Sequence, residues 1–244
     1  MAQESRHRRP RRAGWVPDFG ACAFQVVPSK PFSLMSPTQD RPRHSYRPGE
    51  GHGLAHDPLP AILGPRPIAW LSTRSLQGRV NLAPYSFFNV FNYRPPIVAF
   101  SSVGYKDTVR NVVDTGEFVC NLATRDLAVQ LNASSTEQAL DQDEFELTGL
   151  TPAPGCLVQA PRVAESPVAL ECRALEVRQL KDLQGTLLNT WMVMGEVVQV
   201  HIDTELLDNG LYDTTAARPI LRGGGPADYF EITPAARFQM SRPR

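Results

Sequence analysis

Lysine is scarce in this 244-residue chain: of its 25 basic residues only Lys30, Lys106 and Lys181 are lysines, and the rest are arginines. A lysine inside a motif is therefore a distinctive group. Charge of one sign is missing too, because 25 acidic residues balance the basic ones. A dedicated nucleic-acid binder needs a basic excess to neutralise phosphates, so that class is set aside. No apolar run approaches the roughly 18 residues of a membrane span; the longest, such as Ile97-Val98-Ala99-Phe100, are strand-sized. Cys22, Cys120, Cys156 and Cys172 form no C-x-x-C pair. The basic amino terminus runs into prolines rather than an apolar stretch, so no secretory leader is indicated and a cytoplasmic location is expected. The chain also lacks a phosphate-binding G-x-x-x-x-G-K-[ST] loop, a G-x-G-x-x-G turn, H-E-x-x-H and G-x-S-x-G. His52 and His56 stand four apart, but the surrounding GHGLAHDP does not support a helix that would aim both at one metal, and no metal site is expected.

What is present divides the chain. Residues 1–50 hold nine basic and four acidic residues, with many prolines and serines and no apolar period. Residues 1–55 are expected to be a disordered Arg/Pro-rich extension, with Met35 as a natural start, because such a segment buries too little apolar area to offset its ordering entropy. Residues 56–244 are expected to form one domain. Apolar residues make up 42% of the chain, enough for a sizeable core.

Within that domain short β-rich runs alternate with turns. Strands are expected over Pro67–Thr73, from Val80 through the aromatic run ending at Asn89, over Ile97–Ser102 and over Glu117–Ala123. Two longer strands, Val168–Leu180 and Leu188–Ile202, should pair across a turn near Gln184-Gly185. Asp107 or Thr108 is expected to cap a helix carrying Val109, Val112 and Val113, which Gly116 stops; Asp126 is expected to cap a second. Cys120 and Cys172 sit in apolar patterns and read as buried thiols. Several short strands with peripheral helices suggest an antiparallel barrel.

Polar groups with aromatic neighbours gather at the strand ends: Ser72 and Thr73; Asn81; Ser86 and Asn89 around Phe87 and Phe88; Ser101 and Ser102. Lys106, Asp107 and Thr108 then open a helix. A helix N-terminus offers free N–H groups and a positive dipole end, and a lysine adds a full charge, so this set suits a phosphate. The same residues fit ordinary helix capping and core packing, and spacing alone does not choose between the two.

The motifs GPRPIAWLST (64–73), NLAPYSFFN (81–89), KDT (106–108) with Asn111, GEFVCN (116–121), DEF (143–145), PRVAESPVALEC (161–172), GEVVQVHID (195–203) and PILRGGG (219–225) with Tyr229 together resemble the flavin reductase-like, FMN-binding split-barrel family, which includes flavoredoxin. The resemblance runs in order through nearly all of residues 60–243. It implies a mainly β fold, a six-stranded antiparallel Greek-key split barrel with flanking helices, assembled as a homodimer with FMN near the subunit interface. Carried over by position, the FMN-binding residues are Ser72, Thr73, Asn81, Ala83, Pro84, Tyr85, Ser86, Phe87, Phe88, Asn89, Ser101, Ser102, Lys106, Asp107 and Thr108. Lys106 and the hydroxyls would hold the phosphate, and backbone amides over Ala83–Phe87 would face the ring. His201 is a weaker candidate for the nicotinamide side; otherwise it is a paired strand histidine. The resemblance further implies an FMN-dependent flavin reductase that takes hydride from NAD(P)H and supplies an oxygenase or another acceptor, with no catalytic side chain required. The alternative is a flavoredoxin-like electron carrier without NAD(P)H turnover.

Overall fold

Alternation along each strand builds the central sheet. In β1 (Ala69–Arg74), Ala69 and Leu71 join one apolar cluster while Trp70 joins another on the opposite face. The computed structural model describes residues 42–136 and 143–243. Most of the expected N-terminal extension, including residues 1–34, therefore lies outside the described residues. Its described part carries a 3-10 turn at Pro48–Glu50 and mostly exposed side chains.

Besides β1, the main sheet holds β2 (Val80–Tyr85), β3 (Phe88–Tyr93), β4 (Pro96–Val103), β5 (Glu117–Leu122), β6 (Val168–Lys181) and β7 (Leu187–Ile202). Its order is β2-β1-β5-β6-β7-β4-β3, with every pairing antiparallel. The two edge strands, β2 and β3, are consecutive in the chain and joined only by Ser86-Phe87. The sheet therefore closes on itself at that link, by chain continuity rather than by a hydrogen-bonded ladder. The expected split barrel is what forms, and its count is seven strands instead of six because the run from Val80 to Tyr93 breaks at Ser86-Phe87. The connection from β4 to β5 crosses from the neighbour of β7 to the neighbour of β1, which is the Greek-key step.

Inside the barrel, Leu71, Val98, Phe100, Phe118, Cys120, Cys172 and Val193 pack together. Burying side chains of this size contributes about 1.5–3 kcal/mol each. Both expected buried thiols, Cys120 and Cys172, are there. Gly195 of β7 lies against the Phe118 ring so closely that a Cβ would stand 2.5 Å from its Cζ. Outside the barrel, Trp70, Leu82, Leu131, Phe145 and Ile220 form a second cluster beneath the short helices α3 (Ala128–Ala133) and α4 (Glu144–Thr148). The Trp70 indole donates to Ser134 Oγ at 2.9 Å.

Helix α2 (Asp107–Thr115), which follows the four-residue helix α1 (Leu59–Ile62), buries Val109 and Val112. It ends at Gly116, whose φ of 71° and N–H bond to the Val112 carbonyl make a left-handed cap. Three details differ from the sequence expectation. The N-cap of α2 is Lys106, with no side-chain capping bond, so Asp107 and Thr108 occupy the first turn; Asp107 is in an ion pair with Arg110 at 2.8 Å and Thr108 is held by Asn81. Val113 is half exposed rather than buried. Asp126 does not cap α3, whose N-cap is Leu127; its carboxylate instead meets Arg218 at 2.6 Å.

Candidate functional site

The barrel end where β1 and β2 pack against α2, the helix that follows β4 in the chain, carries most of the polar residues singled out in the sequence. Two side-chain bonds fasten α2 to the sheet. Asn81 Nδ2 on β2 donates to Thr108 Oγ1, and Asn111 Nδ2 on α2 donates to Thr73 Oγ1 on β1, both at 2.9 Å. All four residues are buried, and Thr73 and Asn81 are cross-strand partners. These bonds fix where the first turn of α2 sits and leave its N–H groups without a side-chain cap.

Beside that turn stands the Tyr85 hydroxyl, which is buried next to the Thr108 and Ser102 hydroxyls and makes no well-aligned hydrogen bond among the described residues. Its ring is anchored in the core, 5.1 Å from the centroid of Phe100. Burial pushes the phenol pKa up; the neighbouring Thr108 and Ser102 hydroxyls pull it down, and the Asp107 and Glu144 carboxylates raise it further. Ser102 spends its own proton on the Gly104 carbonyl at 2.9 Å. A buried hydroxyl that is not fully hydrogen-bonded costs up to about 1–3 kcal/mol, part of which a ligand oxygen at this position would recover.

Five residues before Lys106, Ser101 borders a depression of about 220 Å³ that is lined by Phe87, Phe88, Asn89, Phe91, Ala99, Phe100, Ser101 and Met192. It lies at the barrel seam, where the Ser101 N–H donates to the Phe87 carbonyl at 2.9 Å. The walls are apolar and aromatic. Phe87 is additionally covered by the Arg66 guanidinium, 5.3 Å from its ring centroid, and Arg66 Nη2 donates to Ser86 Oγ at 3.3 Å.

The structure thus brings Phe87, Phe88, Asn89 and Ser101 to the depression, with Ser86 next to it in the chain, and groups Tyr85, Ser102 and Thr108 at the start of α2, where Lys106 and Asp107 also stand. Ala83 and Pro84 are half buried on β2. Ser72 and Thr73 are not brought to either surface: both are 0% exposed. Ser72 Oγ donates to the Pro161 carbonyl and accepts from Asn121, while Thr73 accepts from Asn111. With Asn81 and Thr108 they shape the site from behind rather than contacting a ligand through their side chains. His201 is elsewhere, nine residues beyond Met192 on β7, or roughly 30 Å along the strand. There it binds Glu171 at 2.6 Å. Sequence reasoning missed Phe91, Ala99, Phe100 and Met192 in the depression; the strand alternation that carries Asn89 and Ser101 also carries Phe91 and Ala99, and could have found those two.

Residues 64–221 match the flavin reductase like domain. The chain belongs to that family. A protein of Aquifex aeolicus (strain VF5) is 36% identical over 170 residues, covering 67% of this chain and 83% of that one. Among solved structures, nitrilotriacetate monooxygenase component B from Bacillus cereus superposes with a TM-score of 0.70 at 25% identity, over 87% of this chain and 100% of that one. The flavoredoxin of Desulfovibrio vulgaris (Miyazaki F) shares the fold, with a TM-score of 0.63 at 24% identity over 72% of this chain and 90% of that one. The family match spans the barrel strands and includes both the depression and the helix start. No helix among the described residues is long and apolar enough to cross a membrane.

Proposed function

We propose that this protein is an FMN-dependent NAD(P)H:flavin oxidoreductase. The observation that carries the reading is the placement of two surfaces at the two ends of one short chain segment, Ser101 to Lys106. An apolar, aromatic-walled depression suited to a flat heterocycle is bordered by Ser101 near the end of β4, and a helix N-terminus suited to a phosphate begins five residues later at Lys106, with the buried Tyr85 hydroxyl beside Ser102 and Thr108. These residues fit FMN in chemistry as well as placement. Lys106 and the first-turn N–H groups of α2 would hold its phosphate. Tyr85 would donate to an oxygen of the chain that links phosphate and ring, and Phe87, Phe88 and Met192 would flank the ring. When bound, the flavin accepts hydride from NAD(P)H and passes the electrons on. The protein supplies a site that excludes water on the aromatic side and holds the ring in one orientation. Ser101 and Asn89 are the polar side chains at its edge.

The reading extends to assembly and partner. The depression opens beside strand β3, an edge of the sheet on which Val90, Phe91 and Tyr93 are exposed, as is Phe87 just before it. A second copy packed there would bury these residues and complete the walls of the site, in a twofold homodimer. The electron acceptor is proposed to be a flavin-using oxygenase, in keeping with the likeness to a monooxygenase component B. The test is an absorbance spectrum of the purified protein followed by NADH and NADPH oxidation with and without added FMN. A yellow protein that oxidises reduced pyridine nucleotide supports the reductase. A yellow protein without turnover supports a flavoredoxin-like carrier, and a colourless one that ignores FMN defeats both.

A further inference from the structure

Far from the depression, on the outer face of β6 and β7, a cluster is left that flavin chemistry does not use. The segment Cys156–Ala160 lies across this face, where Val158 and Ala160 pack on Val119 and Ala169. Under it sits Glu171, 0% exposed. Its carboxylate accepts the N–H groups of Cys156 at 2.7 Å, Leu157 at 2.6 Å and Val158 at 3.0 Å, and is bonded to His201 Nε2 at 2.6 Å. The segment is closely seated: a Cβ on Gly155 would stand 2.5 Å from the Val158 carbonyl oxygen and 3.3 Å from the Glu171 carboxyl carbon.

The Glu171–His201 pair and the backbone of residue 156 already account for that seat, yet the side chain at 156 is a thiol turned toward the same point. Cys156 Sγ, a Glu171 carboxylate oxygen and a His201 ring nitrogen all lie within 4.8 Å of one another. We infer that Cys156, Glu171 and His201 form a site for a thiophilic divalent metal ion of the zinc type. Sulfur, nitrogen and oxygen from three side chains, with a fourth position open to water, is a donor set such ions take. Around one tetrahedral ion the donor atoms stand about 3.3–3.6 Å apart, from metal distances of about 2.0–2.3 Å. The Glu171–His201 contact must therefore open by under an ångström, with the ion replacing the proton now shared between them, while Cys156 closes in. The parts that must move are on the solvent side: Cys156 is exposed, and the His201 side chain is 21% exposed. The part that must stay fixed, Glu171, is held by three backbone donors, which is how outer contacts orient a metal ligand. The ion would pin the segment over the barrel, a structural role independent of whether FMN binds.

The experiment uses the full chain, freed of metal by a chelator, reduced, and titrated with Co²⁺ at neutral pH. The expected result is a sulfur-to-cobalt charge-transfer band that saturates at one equivalent and is erased by Zn²⁺, with release of protons as the ligands ionise. Zn²⁺ should also raise the thermal midpoint of the wild type. Cys156→Ser keeps the backbone N–H that Glu171 needs, so it should fold normally, yet it should lose the band and the thermal shift. His201→Gln should weaken Co²⁺ binding by more than the roughly 10–100-fold that loss of an outer contact costs. Absence of a saturable band in the wild type overturns the inference, as does a band that survives Cys156→Ser, which would assign the thiolate to another cysteine. FMN content, read from the same sample, separates this outcome from failure of the flavin reading.

Discussion

Replacing Thr108 by valine tests whether the two buried amide–hydroxyl bonds set the position of α2. Valine matches threonine in shape, so the packing of this 1% exposed residue is kept and only the hydroxyl is lost. Asn81 Nδ2 then faces a methyl group where it had an acceptor at 2.9 Å. A buried donor left without a partner costs about 1–3 kcal/mol. At roughly 2–4 °C per kcal/mol for a domain of this size, the thermal midpoint should fall by about 2–12 °C. The double substitution Asn81→Ala with Thr108→Val removes both partners. Its cost should therefore be less than the sum of the single ones, with a coupling of at least about 0.5 kcal/mol. Urea unfolding of the four proteins in the cycle, followed by circular dichroism, gives the numbers. FMN affinity measured alongside should weaken in Thr108→Val, because the N–H groups of the first turn move with the helix. A Thr108→Val protein within about 0.5 kcal/mol of wild type, or strictly additive costs, would refute the clamp.

Lys106→Ala should weaken FMN binding roughly ten- to a hundredfold, since a charge-assisted bond contributes about 1.5–3 kcal/mol. Riboflavin, lacking the phosphate, should bind as before; equal losses for both ligands in a fluorescence titration would remove Lys106 as the phosphate anchor. Gly195→Ala should destabilise by about 1–3 kcal/mol through overpacking against Phe118, and Phe118→Leu in the same chain should recover part of it in chemical denaturation. Glu144, whose carboxyl is pushed up chiefly by burial against the bond it accepts from the Leu82 N–H, with Asp143 and Asp107 adding repulsion, loses folding stability as pH rises through its ordinary 4.5 toward the raised folded value. Glu144→Gln should thus be more stable than wild type at neutral pH, and the gain should vanish as pH is lowered below 4.5; a gain independent of pH would contradict this. A chain beginning at Met35 should fold, bind FMN and scatter light as a particle of twice its mass; a monomer with full FMN affinity would remove the interfacial placement of the flavin.

The strands were legible because each carries its burial in its own residues. Glu117–Leu122 reads as apolar on both faces, and the structure covers both, with Phe118 and Cys120 in the barrel and Val119 under the segment at Val158. The turn at Gly185 was equally plain, since this glycine takes a positive φ of 85° that other residues avoid. The caps were not legible. Asp126 has the side chain of an N-cap, but Arg218, 92 residues away, offers it a full charge at 2.6 Å. Thr108 likewise serves Asn81 instead of its own helix. Capping is a local rule, and a distant partner of greater strength overrides it.

The same limit governs the site. A serine or threonine closing a strand reads as exposed, and at Ser101 that holds closely enough to border the depression. At Ser72 and Thr73 it fails because two later parts of the chain, the Pro161 carbonyl and the Asn111 amide, arrive to take their hydroxyls. Cys156, Glu171 and His201 are separated by 15 and 30 residues and stand on a loop and two strands, so no ligand spacing announces them. They meet because the β6–β7 ladder pairs Glu171 with Gln199 and Ala169 with His201, after a bulge between Val197 and Gln199 shifts the register. Without that extra residue the histidine side chain would fall on the other face of the strand, since a one-residue slip reverses every side chain beyond it. The irregularity in the ladder is therefore what gives the buried carboxylate its imidazole partner, and removing it should cost the pair as surely as mutating either residue.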